Sequence, residues 1–265
     1  MEIIIFSILD KLKMENNDFS NIEQKIKGND NIQQQLIVQG NLNLGLNQKQ
    51  VLDMIKCYCF TDKEQIIEIV KEAINNIPHN KRQAPDKRIF VPTIQQLSYS
   101  LDDKIIKNTY QKLLQSSMNK EESQTIHPSF VEIIKQLSPI DAQVLNILQT
   151  KAVFTTICMR IDYTVSKTFA DYLIDYCIDL NPLFQDPKME AASLQNLKRL
   201  GIINIRYDQK VKPDSEYDKY SKDNLIVKGF EFEKRNPDCK CKLIHGLIEL
   251  TDFGHQFCKS CCEHN

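Results

Sequence analysis

The chain has 265 residues, enough for one large domain or two of ordinary size, and its 42% hydrophobic content excludes a disordered chain. With 34 basic and 35 acidic residues the net charge is -1, so there is no global electrostatic case for nucleic acid and any such binding needs a local patch. Seven Gly and no Trp suit a helix-rich protein with few tight turns.

The chain opens on a short apolar run at residues 3–9, closed by Asp10 and Lys11. It lacks the basic start and small-residue cleavage site of a signal peptide and falls well short of the roughly 20 apolar residues that span a bilayer. A cytoplasmic protein without membrane association is expected, with Met14 as a second candidate start. Residues 14–35, rich in Asn, Gln, Lys and Asp, read as a flexible leader. In LIVQGNLNLGL, residues 36–46, apolar positions alternate beside Gly40 and Gly45. That predicts a short β-element suited to pairing with another copy or a partner.

Residues 47–88 read as a helical pair and a basic linker. Asn47 can cap a helix with Val51, Leu52, Ile55 and Cys59 on one face, and Thr61 to Glu64 has the form of a capping box before Ile66, Ile67, Val70, Ile74 and Ile77. Pro78 stops that helix, and HNKRQAPDKR at 79–88 is the linker. Residues 89–137 form a second helical region, with Ser100 as a cap and Ile105, Ile106, Tyr110, Leu113 and Leu114 inside. His127-Pro128 opens a helix burying Phe130, Ile133, Ile134 and Leu137.

Residues 138–265 predict a winged-helix-like domain, giving a mainly α (α+β) fold overall. Ser138-Pro139-Ile140-Asp141 combines a cap, a first-position Pro and a first-turn acid. VFTTICMRI, 153–161, reads as a strand; a helix carrying Phe169, Tyr172, Leu173 and Tyr176 follows, then another from Met189 to Gly201. Strands are expected at 202–207, 225–234 and 242–250, before a last helix from Thr251. Helix, strand, helix, helix, strand, wing, strand is the order of a winged helix.

Several of these stretches resemble the Abi-alpha (abortive infection alpha) family, a bacterial domain of unknown function. HPSFVEIIKQLSPIDAQVL, His127 to Leu145, is similar to its signature almost throughout, and LLQSSM at 113–118, SLQNLKRLGII and GLIELTDFGHQFCKSC are similar to its neighbouring segments. The leader, NIQQQLIVQGNLNLGLNQKQVLDMI, resembles a segment that precedes effector or sensor modules in bacterial defence proteins. The family resemblance implies a role in antiviral defence by abortive infection, with no enzymatic activity and no catalytic residues to carry over.

Nine cysteines are present. Cys57, Cys59, Cys158 and Cys177 lie in apolar patterns and read as small buried hydrophobes. Cys239 and Cys241, separated by 16 residues from Cys258 and Cys261, offer two thiolate pairs that suit tetrahedral Zn²⁺. The alternative is reduced buried thiols and no cofactor. His127, Asp102, Asp103 and Asp141 read as caps rather than catalytic groups, because neither a nucleophile nor a metal-ligand spacing accompanies them. Asp208-x-Lys210 matches only the tail of a nuclease motif, and no phosphate-binding Gly loop is present.

For nucleic acid, the third helix of the expected winged helix offers Lys188, Gln195, Lys198 and Arg199. Residues 201–245 add ten basic residues against eight acidic ones, an excess of two. DNA readers carry a more lopsided face. The leading expectation is therefore a non-enzymatic interaction or sensor module that binds a protein partner or another copy and takes no evident small-molecule substrate. A winged-helix DNA-binding regulator is the alternative, and a Zn-stabilised protein with nuclease activity is the third.

Overall fold

A computed structural model describes residues 62–184 and 186–262, together with Ile55, Cys57 and Tyr58. The expected β-element at 36–46, the Asn47 cap, Val51, Leu52, Cys59 and Thr61 lie outside the described residues. Ile55 is helical and buried, and Cys57 is exposed rather than buried.

The N-terminal part is helical. Helices α1 (Lys63–Asn75), α2 (Lys87–Leu97), α3 (Lys104–Ser117), α4 (Phe130–Lys135) and α5 (Pro139–Leu148) follow in order. The 3.6-residue period puts Ile66, Ile67, Val70 and Ile74 of α1 inside, as the sequence predicts. α1, α2 and α8 (Asp252–Cys261) all pack against α3, whose Tyr110, Leu113 and Leu114 are buried. Each such aliphatic side chain contributes about 1.5–3 kcal/mol when fully buried. The α3 cap is Asp103 rather than Ser100: its carboxylate accepts from the Ile105 and Ile106 amides at 2.9 and 3.0 Å. An ionised side chain suits the positive end of the helix dipole better than the serine three residues earlier.

The C-terminal part is built on a four-stranded antiparallel sheet in the order β2-β1-β4-β3. Its strands are β1 (Phe154–Tyr163), β2 (Thr168–Tyr176), β3 (Ile203–Arg206) and β4 (Cys239–Leu250). The β1–β4 ladder runs from Phe154 opposite Ile248 to Tyr163 opposite Cys239. α6 (Pro187–Arg199) packs on β2 and β3, while a 3₁₀ segment at Asp214–Lys222 and α7 (Asn224–Arg235) contribute to a core of Ile157, Met159, Leu173, Tyr176, Tyr217, Tyr220 and Ile226. Tyr217 also stacks on His245, ring centroids 4.0 Å apart.

Two segments correct the expected winged-helix order. Residues 168–176 form β2, not a helix: Phe169 and Tyr172 are exposed, so their helical spacing marks no buried stripe. The long strand β1 supplies a partner, with Arg160 opposite Asp171 and their side chains paired at 2.8 Å. Residues 225–234 belong to α7, not a strand. The Asp223 carboxylate caps it, accepting from the Leu225 and Ile226 amides, and Ile226 and Gly229 recur at helical spacing toward the core. The observed order after α5 is strand, strand, helix, strand, helix, strand, helix.

Candidate functional site

The segment similar to the family signature forms the junction between the two parts. His127 Nδ1 lies 2.6 Å from the Ser129 hydroxyl and accepts from the Ser129 amide at 3.2 Å, and its ring meets Phe253 edge-on at 5.8 Å. Phe130 packs against Phe253 and Phe257 of α8, both at 5.3 Å. Ser138 and Asp141 form a reciprocal capping box on α5. The same buried Asp141 carboxylate accepts from the Ser193 hydroxyl and from Asn196 Nδ2 at 3.0 Å, tying α5 to α6.

Beyond that junction, α6 closes over a buried acidic cluster. Glu190 Oε1 accepts from the Cys177 amide. Burial pushes the Glu190 carboxyl up to about 8, the Cys177 bond opposes this, and the nearby Asp223 and Asp175 charges add to the rise. Asp175, next to last in β2, lies in the left-handed region at φ 52, with a buried carboxylate held by the Tyr207 hydroxyl at 2.8 Å and by Gln195 Nε2. Burial holds the Cys177 thiol up at about 12, which keeps it protonated and unreactive.

An open groove lies between α7 and the β1–β2 hairpin. It measures about 490 Å³ and is lined by Ile161, Tyr172, Lys228, Gly229, Glu231, Phe232 and Arg235. A β-bulge builds one wall: Met159 pairs with Leu173 and Arg160 with Asp171, so Tyr172 is the extra residue. Bulges re-aim side chains, and Tyr172 thereby lines the same groove as Ile161. Phe232 forms the other wall. Tyr172 is 44% exposed and Phe232 40%. Large apolar side chains exposed together are a feature of docking surfaces.

The expected nucleic-acid residues all sit on the exposed side of α6. Gln195 bonds Asp175, and Arg199 bonds Gln136 Oε1 at 3.1 Å and Asn196 Oδ1 at 2.7 Å. Lys188 and Lys198 carry no ion pair among the described residues. The strand expected at 225–234 beside the expected wing is helix α7.

The four candidate zinc ligands fall into two separate places. Cys239 and Cys241 begin β4, whereas Cys258 and Cys261 lie in α8 beyond its other end. The stretch from Cys241 to Leu250 alone spans roughly 30 Å in extended chain. Among the described residues no three His, Cys, Asp or Glu side chains group as metal ligands. Cys241 Sγ donates instead to the Gly229 carbonyl at 3.2 Å, and burial drives the Cys261 thiol far up.

Sequence reasoning missed Tyr172, Phe232, Asp175 and Glu190. The Asp223 cap went unread because 225–234 was expected to be a strand, and the bulge at Tyr172 and the burial of Glu190 arise only from tertiary pairing.

No helix among the described residues is long and apolar enough to cross a membrane. Residues 62–261 match the family model described as abortive infection alpha. No curated protein and no solved structure matches the chain.

Proposed function

The chain belongs to the abortive infection alpha family, and from that premise we propose that it serves phage defence as a cytoplasmic, non-enzymatic module that binds a protein partner. The observation that carries this reading is the groove between α7 and the hairpin, where Tyr172 and Phe232 stand exposed over an apolar floor. Such side chains cost solvation free energy when bare and return it on docking. Three carboxylates elsewhere have structural roles: Asp103 and Asp223 cap helices, and Asp141 joins α5 to α6.

A phage challenge of cells carrying the gene tests the reading. Infected cultures are expected to lose viability early while releasing fewer phage than cultures without the gene. Purified protein that hydrolyses nucleic acid, with turnover lost in His127→Ala at unchanged stability, would overturn the non-enzymatic part.

A further inference from the structure

Taking the chain as a partner-binding module, we propose that the groove between α7 and the β1–β2 hairpin receives a linear acidic segment of another protein, anchored by one apolar side chain. The groove is apolar in the middle and cationic at its rim. Ile161 and Gly229 line it between Tyr172 and Phe232. Gly229 is buried against the Met159 side chain, so α7 sits close on β1 and closes the groove floor with apolar atoms.

Lys228, Phe232 and Arg235 are spaced four and three residues apart, which places them on one helical face with the phenyl ring between two cations. Lys228 is exposed and has no ion-pair partner among the described residues. Arg235 is 78% exposed and reaches Glu231 only at 3.6 Å. Glu233 is turned away toward β4, where it accepts from the Cys241 amide at 3.1 Å. The rim therefore holds two cations against the single carboxylate of Glu231. A segment with carboxylates on either side of an aliphatic or aromatic residue meets both cations while its anchor covers Tyr172 and Phe232.

A second copy of this chain is the weaker occupant. Docking by the outer edge of β2 needs a continuous ladder, and the bulge at Tyr172 interrupts it. Polyanionic nucleic acid would bring phosphates against Glu231 and leave the apolar walls without a partner.

The test is a selection of random linear peptides displayed against the immobilised full chain, with a Lys228→Glu, Arg235→Glu variant as counter-selection. Enriched peptides are expected to be acidic, with one large apolar residue. Labelled copies should bind in fluorescence anisotropy, weaken with added salt, and lose roughly tenfold or more in affinity on charge reversal or on Phe232→Ser. Three results overturn the proposal: no enrichment, enrichment without acidic bias, or affinity unchanged by charge reversal. A concentration-dependent dimer in sedimentation velocity that Phe232→Ser abolishes also overturns it, by assigning the groove to a second copy.

The module reading is tested apart from this. If Phe232→Ser abolishes phage protection but peptides show no acidic bias, the partner chemistry is wrong and the module stands. If Phe232→Ser and the charge-reversed variant both protect as the parent does, the module reading falls.

Discussion

Glu190 Oε1 accepts a hydrogen bond from the Cys177 amide at 2.5 Å, in a residue only 1% exposed at the start of α6. Burial, chiefly, raises this carboxyl to about 8 from an ordinary 4.5. The folded chain thus holds the proton more tightly than the unfolded chain. The stability this provides is complete below the unfolded value and is lost as pH rises through about 8. Glu190→Gln keeps an acceptor for Cys177 and removes the titration. Urea denaturation is expected to find the two proteins alike near pH 4 and the variant more stable by on the order of 3 kcal/mol near pH 9. Parallel pH profiles would show that Glu190 is charged in the fold.

Gly254 of α8 lies against the backbone of Ile202, where an added Cβ would come within 2.0 Å of the Ile202 carbonyl oxygen. Backbone cannot swing aside as a side-chain end can. Gly254→Ala is predicted to destabilise by about 2–3 kcal/mol or more, although alanine favours helix. Thermal melts followed by circular dichroism check this, and an unchanged midpoint would contradict the close approach.

Asp141 and Ser138 share a capping box, yet their removal should differ. Ser138→Ala takes away one cap, about 1 kcal/mol. Asp141→Ala also leaves the Ser193 hydroxyl and the Ser138 amide without their acceptor and takes one of two acceptors from Asn196 Nδ2. About 2–4 kcal/mol is expected from those lost acceptors. Equal urea midpoints for the two variants would mean that the α5–α6 link carries little.

The separation of Cys239 and Cys241 from Cys258 and Cys261 predicts that a chelator leaves the melting temperature unchanged. Metal analysis of protein purified without chelator should find less than one equivalent of zinc. A stoichiometric ion, with a midpoint that drops on chelation, would require the two cysteine pairs to meet.

Much of the helical part was readable in the chain. The spacing of Ile66, Ile67, Val70 and Ile74, the Pro139 and Asp141 start signals, and the run from His127 to Leu145 all carry local information that folding preserves. Residues 168–176 and 225–234 were exchanged in type because their apolar residues satisfy both periods over a short run. What decides them is non-local: β1 offers Arg160 to Asp171, and α7 needs Gly229 to approach Met159, whose terminal atoms lie 2.2 and 2.6 Å from where a Cβ would stand. The groove was hidden for the same reason. Tyr172 faces it only because a bulge in β2 displaces one residue, and no local pattern announces that bulge.

The most direct measurement is plating efficiency on cells carrying the wild-type gene or the Tyr172→Ser, Phe232→Ser double variant, with both proteins shown to melt alike. Both side chains are partly exposed, so their loss should leave the fold intact. The wild-type gene is expected to protect, and the double variant to restore plating to the unprotected level. Full protection by a stably folded double variant would contradict this.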